Sequence, residues 1–243
     1  MKRTYLYYEL LRTFRNRRFF FFSLGFPLVL YFLIATPNRN RGNFGNSGLS
    51  APLYFMVGLI AFGTMNAMLA AGSRIAAERA VGWNRQLRIT PLTTRQYFRA
   101  KVITGYAMSG VTLAALYGAG TVLGVRLGAE SWLKMTGLIL IGLIPFATLG
   151  IVFGHVLTPD SIGPALGGTT ALLAFLGGTW FPITGGVMLK IAEALPSYWL
   201  VQAGHVGLGG HGWSRTGWIV VAVWALAGAA LARRAYRRDT QKV

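Results

Sequence analysis

Residues 78–92 read ERAVGWNRQLRITPL, with three arginines and one glutamate around a glycine, and a proline near the end. Long uncharged segments stand on both sides, so this run interrupts an otherwise apolar chain. On a helical wheel Ala76, Ala80, Trp83 and Leu87 fall at i, i+4, i+7 and i+11, a continuous apolar stripe. Arg74, Glu78, Gly82 and Arg85 form another face, with Gly82 leaving room for close backbone approach. Thr90-Pro91 ends the helix, because proline pushes its predecessor out of the helical region. The following TTRQ (residues 93–96) has capping-box spacing and predicts a fresh helix start.

Composition limits what the interruption means. The chain has 243 residues, no cysteine, and 24 Lys plus Arg against 6 Asp plus Glu, a net charge of +18. Hydrophobic residues make up 53% and charged ones 12%, about half the charged share of a soluble domain. A soluble nucleic-acid binder can be this basic but not also this apolar. The balance indicates an integral membrane protein with its charges in short loops and no nucleic-acid partner. Lacking cysteine, the chain has no disulfide framework and no thiolate metal site.

Six stretches are long and uncharged enough to cross a bilayer, near residues 19–36, 53–73, 102–125, 135–154, 162–181 and 216–232. The expected fold is an all-α integral membrane protein with six transmembrane helices. The first is read as a retained span, its apolar part being too long for a signal peptide. Six crossings put both termini on one side. The N-tail, the loop after the second span and the C-tail then hold eighteen Lys or Arg. The opposite face holds six: Arg39, Arg41, Arg126, Lys134, Lys190 and Arg215. That bias makes the termini cytoplasmic.

Residues 1–18 read as an interfacial elbow helix with Leu6, Leu10 and Phe14 on its apolar side. Residues 19–232 form the transmembrane domain, containing a cytoplasmic loop at 74–101 and an external segment at 182–215; residues 233–243 are a basic cytoplasmic tail. The external loop 37–52 is rich in Gly, Asn and Ser and reads as flexible. In the external segment Val187, Ile191 and Leu195 keep helical spacing before Pro196, predicting a short helix that dips into the membrane or lies on it. Small residues recur four apart at Ala114/Gly118, Gly120/Gly124, Gly150/Gly154 and Gly163/Gly167, a spacing that suits close helix packing.

Several chemistries lack their residues. No span carries an acid, base or histidine near its centre, as a proton-coupled transporter or intramembrane hydrolase requires. The six acids are scattered, so no catalytic residue is assigned. His205 and His211 without cysteine or carboxylate nearby do not make a metal site. No G-x-x-x-x-G-K-[ST] run occurs, so the chain has no nucleotide site of its own. Asn66, beside Thr64 within the second span, must find a partner on a neighbouring helix or on a substrate. The 78–90 helix therefore either rests on headgroups or docks in a groove on a cytoplasmic partner. The missing internal energy source favours docking.

Glu78-Arg79-x-x-Gly82, followed by Leu87, Thr90-Pro91-Leu92, Tyr97 and Lys101, resembles the cytoplasmic signature of type-2 ABC (ATP-binding cassette) transporter permeases. GGTWFPI at 177–183, with Pro182 closing the fifth span and Pro196 following, resembles the same family. The likeness covers nearly the whole chain and departs at Trp83, where members more often carry a small polar residue. It implies a type V exporter-like architecture: a half-permease that pairs with a second copy or a paralogue and with two cytoplasmic ATPase subunits. Those subunits bind ATP and Mg, and this chain holds no cofactor.

The resemblance further implies coupling to the ATPase through Glu78, Arg79, Gly82, Trp83, Arg85, Leu87, Arg88 and Pro91, and short re-entrant helices around Pro182 and Pro196. First and fifth spans of opposing subunits would face each other, bringing Phe22, Phe26 and Tyr31 near Phe175, Trp180 and Phe181. With Asn66 these line a substrate path, or else the rings face lipid. The expected function is export of a drug, antibiotic or lipid-like molecule across a bacterial plasma membrane. Rival readings are a membrane-embedded lipid-modifying enzyme and a non-transporting assembly protein.

Overall fold

The computed structural model of the protein describes residues 3–83, 86, 89–208 and 212–241. Among these, every regular element is helical. Helix α1 (Arg3–Phe14) breaks at Arg15 and Asn16 before α2 (Arg17–Ala35). Asn16 caps α2 by accepting from the Phe19 amide at 3.1 Å. A π turn at Phe21–Gly25 precedes Pro27, which has no amide proton for the Ser23 carbonyl. Thr112 supplies that donor, its Oγ1 lying 2.9 Å from the Ser23 oxygen. A break in one helix is thus closed by its neighbour.

Helix α3 (Ala51–Ala80) has 30 residues, a length of roughly 45 Å. It is the central mast, buried on almost every side from Ala51 to Ser73. Gly82, with φ of 69°, ends it in a left-handed turn that favours glycine. Helix α4 (Thr94–Val122) starts at the expected capping box, Thr93 and Gln96 each bonding the other's backbone amide. Helix α5 (Ala129–Val156) bends at Leu143, just before Pro145. Its Gly150 and Gly154 lie against the backbone of α3 at Leu69 and Gly72, a close backbone-to-backbone crossing. Helix α6 (Pro159–Leu176) follows a second capping box at Thr158 and Ser161. Two short helices, α7 (Gly186–Glu193) and α8 (Pro196–Gln202), lead through a 3-10 turn at Ala203–Leu208 to α9 (Arg215–Gln241).

Contacts fix which ends meet. Arg12 pairs with Glu78, Thr94 with Tyr236, and Arg79 with Asp239, so both ends of the described chain lie with the 81–93 turn. At the other end, the Tyr54 hydroxyl donates to the Gly178 carbonyl, and Phe44 stacks on Tyr54 and Phe55 at 5.3 and 4.7 Å. The 37–52 loop is therefore anchored rather than free: Leu49 is fully buried, and the Phe44 amide bonds the Leu49 carbonyl.

Four boundaries differ from the sequence reading. Residues 74–80 and 94–101 are not loop; they complete α3 and α4, leaving 81–93 between them, where Trp83 and Gln86 are helical among the described residues. Residues 233–241 continue α9 instead of forming a separate tail, because no breaker interrupts ALARRAYRRDTQ. Helix α1 turns Tyr5, Glu9 and Thr13 inward, while Phe14 of the expected apolar stripe is exposed. Among the described residues five helices are long and apolar enough to cross a membrane, as a multi-pass membrane protein requires. The segment expected at 162–181 is instead the 18-residue α6, which begins with Pro159 and Asp160 and stops at Leu176.

Candidate coupling site

The paired end of the bundle holds two kinds of surface. The outer one is the turn between α3 and α4, where Val81, Trp83 and Ile89 are 76%, 39% and 88% exposed. Gln86, Thr90 and Pro91 are exposed beside them. The inner one is a set of ions beneath it. Lys101, 1% exposed, puts its Nζ 2.6 Å from Glu9 Oε1 and 2.5 Å from Glu78 Oε1. Glu78 also takes Arg12 Nη1 at 2.9 Å and the hydroxyl of Tyr97. Arg74 donates to Thr13 Oγ1 at 2.5 Å and sits 4.6 Å above the Phe19 ring. Burial, then the Glu9 and Glu78 charges, hold the Tyr5 phenol above its ordinary pKa, so it stays neutral beside them. Removing one partner from such a set costs about 3–5 kcal/mol, because an uncompensated charge stays inside.

These positions correct the polar-face reading. Glu78 does not point outward to a partner; it is buried between α1, α3 and α4. Arg79 also turns inward, pairing with Asp239 at 2.7 Å and donating to the His155 carbonyl at 2.7 Å. Asp239 closes on His155 Nδ1 at 3.2 Å, and that ring packs against both Phe98 and Tyr236. Gly82 has a positive φ of 69°, and within this chain a Cβ there would meet nothing within 4 Å. The expected stripe is interrupted at that turn, with Ala76 buried below it and Trp83 exposed beyond it. Arg85, Leu87 and Arg88 lie outside the described residues.

Several of the aromatic residues expected on the path also touch one another within one chain. Phe22, Phe26, Phe62 and Trp180 form a run of rings with centroids 6.3, 5.9 and 5.8 Å apart, joining α2, α3 and the segment after α6. Phe175 and Phe181 pair at 4.9 Å, both exposed. Asn66 donates to Ser23 Oγ of α2 at 3.3 Å, so it has found a helix partner. Tyr31 packs inside the chain. It is fully buried, with its hydroxyl on the Pro52 carbonyl at 3.1 Å. Pro182 lies in the loop after α6, and Pro196 opens α8.

The signature residues Glu78, Tyr97 and Lys101 thus converge on one point, which the profile of ABC-2 type transporters, matching residues 3–208, covers in full. The chain belongs to the ABC-2 type transporter family. It is also 27% identical over 195 residues, 78% of each chain, to the "Putative transport permease YvfS" of Bacillus subtilis (strain 168). Membership makes the protein an ABC-2 permease, a membrane transport subunit that works with an ATP-binding partner. Glu9, Asp239, His155 and Phe62 of this permease escaped the sequence reading. Glu9 and Lys101 are 92 positions apart, and no local spacing announces such a pair.

Proposed function

We propose that this permease subunit exports a hydrophobic or amphipathic cargo, of drug, antibiotic or lipid-like character, across a bacterial plasma membrane. Two ATP-binding subunits, which hold ATP and Mg, drive it from the cytoplasmic side, and a second copy or a paralogue completes the pathway in the lipid. The exposed Val81, Trp83 and Ile89 carry the reading. Apolar side chains at a turn joining two long helices suit a groove on a soluble partner better than they suit water. This replaces the polar contact through Glu78 with an apolar one and leaves Arg85, Leu87 and Arg88 as further candidates in the same stretch of sequence.

Both termini are then cytoplasmic, in agreement with the charge bias and with the ends meeting at the 81–93 turn. Helix α6 serves as a sixth crossing. It starts next to His155 at the paired end and finishes next to Tyr54 at the other. Helix α8 acts as a re-entrant element, since Leu200 packs at Gly142, roughly 20 Å along α5 from Ala129. The Phe22–Phe26–Phe62–Trp180 run supplies an apolar track for cargo between α2 and α6.

The test uses inside-out membrane vesicles containing the permease and its ATP-binding subunit, loaded externally with amphipathic fluorescent dyes. Export appears as ATP-dependent accumulation inside. Accumulation in right-side-out vesicles instead would reverse the direction.

A further inference from the structure

We propose that Lys101 is a positioning residue that clasps α1, the end of α3 and the start of α4 into one rigid body, so that movement of the 81–93 turn reaches the first span. The inference rests on the docking reading above and adds the route by which force leaves the docking turn. Among the described residues Lys101 is the one cation that forms an ion pair with both buried carboxylates: its Nζ touches Glu9 of α1 and Glu78 of α3 at 2.6 and 2.5 Å. The ammonium also stands 5.2 Å over the Tyr97 ring, one turn earlier on its own helix.

From there the contacts continue without a gap. The Thr13 hydroxyl donates to the Glu9 carbonyl at 2.8 Å and accepts from Arg74 at 2.5 Å. Arg74 covers Phe19, the first buried side chain of α2. Glu78 lies three residues from Val81, at the base of the exposed turn, so tilting the turn must carry Glu78, Lys101 and Glu9 together. Glue alone would be served as well by apolar packing, which often matches or exceeds a buried ion set in stability. What the ions add is direction, because each bond has one partner and one distance.

The cysteine-free chain makes the test clean. In the full complex, spin labels are placed at Tyr8 on α1 and Arg99 on α4, both exposed, and at Val29 on α2 and Leu226 on α9, both exposed. The Tyr8–Arg99 distance should stay single and unchanged between nucleotide-free and ATP-bound states, while the Val29–Leu226 distance shifts. Lys101→Met with Glu9→Gln removes the clasp without stranding a charge, since Glu78 keeps Arg12. In that variant the ATP-binding subunit should still be captured, the first distance should broaden, and the nucleotide-dependent shift of the second should disappear. A wild-type Tyr8–Arg99 distance that changes with nucleotide overturns the rigid body. So does a variant whose Val29–Leu226 shift matches wild type. Failure of the wild-type chain to capture the ATP-binding subunit would instead defeat the docking reading.

Discussion

Gly150→Ala should destabilise the permease, although alanine is the better helix former. A Cβ at Gly150 would lie 2.7 Å from the Leu69 carbonyl oxygen, 2.9 Å from that of Met68 and 3.0 Å from the Leu69 Cα. All three atoms are backbone of α3, so no side chain can rotate away. Restoring ordinary contact requires the two helices to part by roughly 0.7 Å, across a crossing that Gly72 and Gly154 also hold tight. Overpacking of this kind costs about 1–3 kcal/mol, against about 0.5–1 kcal/mol gained from replacing a helical glycine. At the midpoints of these ranges the net expectation is a loss of about 1 kcal/mol. Gly118 on α4 and Gly137 on α5 provide the controls, since a Cβ at either meets nothing within 4 Å; their alanine variants should gain about 0.5–1 kcal/mol. Unfolding in mixed micelles by titration with a denaturing detergent, followed by far-ultraviolet circular dichroism, measures all three. Equal or greater stability of Gly150→Ala would refute the backbone crossing.

Three shorter expectations concern topology, the aromatic core and the far end of the bundle. Single cysteines at Gly42, Val81 and Arg234 should divide, Gly42→Cys reacting with an impermeant maleimide in intact cells and the other two only after permeabilisation. Reaction at Arg234 from outside would mean an odd number of crossings. Tyr31→Phe should lose about 1 kcal/mol of stability with its hydrogen bond to Pro52 and leave the range of transported dyes unchanged. A changed range at full stability would place Tyr31 on the path. His205 bonds the Ser47 carbonyl at 3.2 Å, and burial holds its pKa below the ordinary value. Its neutral form therefore favours the closed segment. That stability is complete above about pH 6.5 and is lost as pH falls through the lower folded value. Amide exchange at 203–208 should quicken at pH 5 relative to pH 7.5, and an equal rate at both would contradict it.

The helices and their caps were legible because they rest on local chemistry. Thr93 and Gln96 and the long apolar runs act over a few residues of sequence. Of the small-residue pairs, only contact geometry separates Gly150/Gly154, pressed on α3, from Gly163/Gly167, which faces open space. Spacing four apart is identical in both. The direction of Glu78 and Arg79 is not legible in the sequence for a related reason. A helical wheel assigns charges to an outer face by default, yet both found opposite charges on α1, α4 and α9. Those partners lie 66, 160 and 23 positions away along the chain (Arg12, Asp239 and Lys101), where no periodicity reaches. Once the ions had turned inward, the apolar Val81, Trp83 and Ile89 were left as the outer surface.

Capture of the ATP-binding subunit by this chain from detergent-solubilised membranes tests the central claim most directly. We expect wild-type permease to retain it, Trp83→Asp with Ile89→Asp to lose at least nine-tenths of the capture (roughly 1.4 kcal/mol or more) at normal expression, and the Lys101→Met, Glu9→Gln variant to bind as wild type. Full capture by the doubly charged turn would contradict docking on Val81, Trp83 and Ile89.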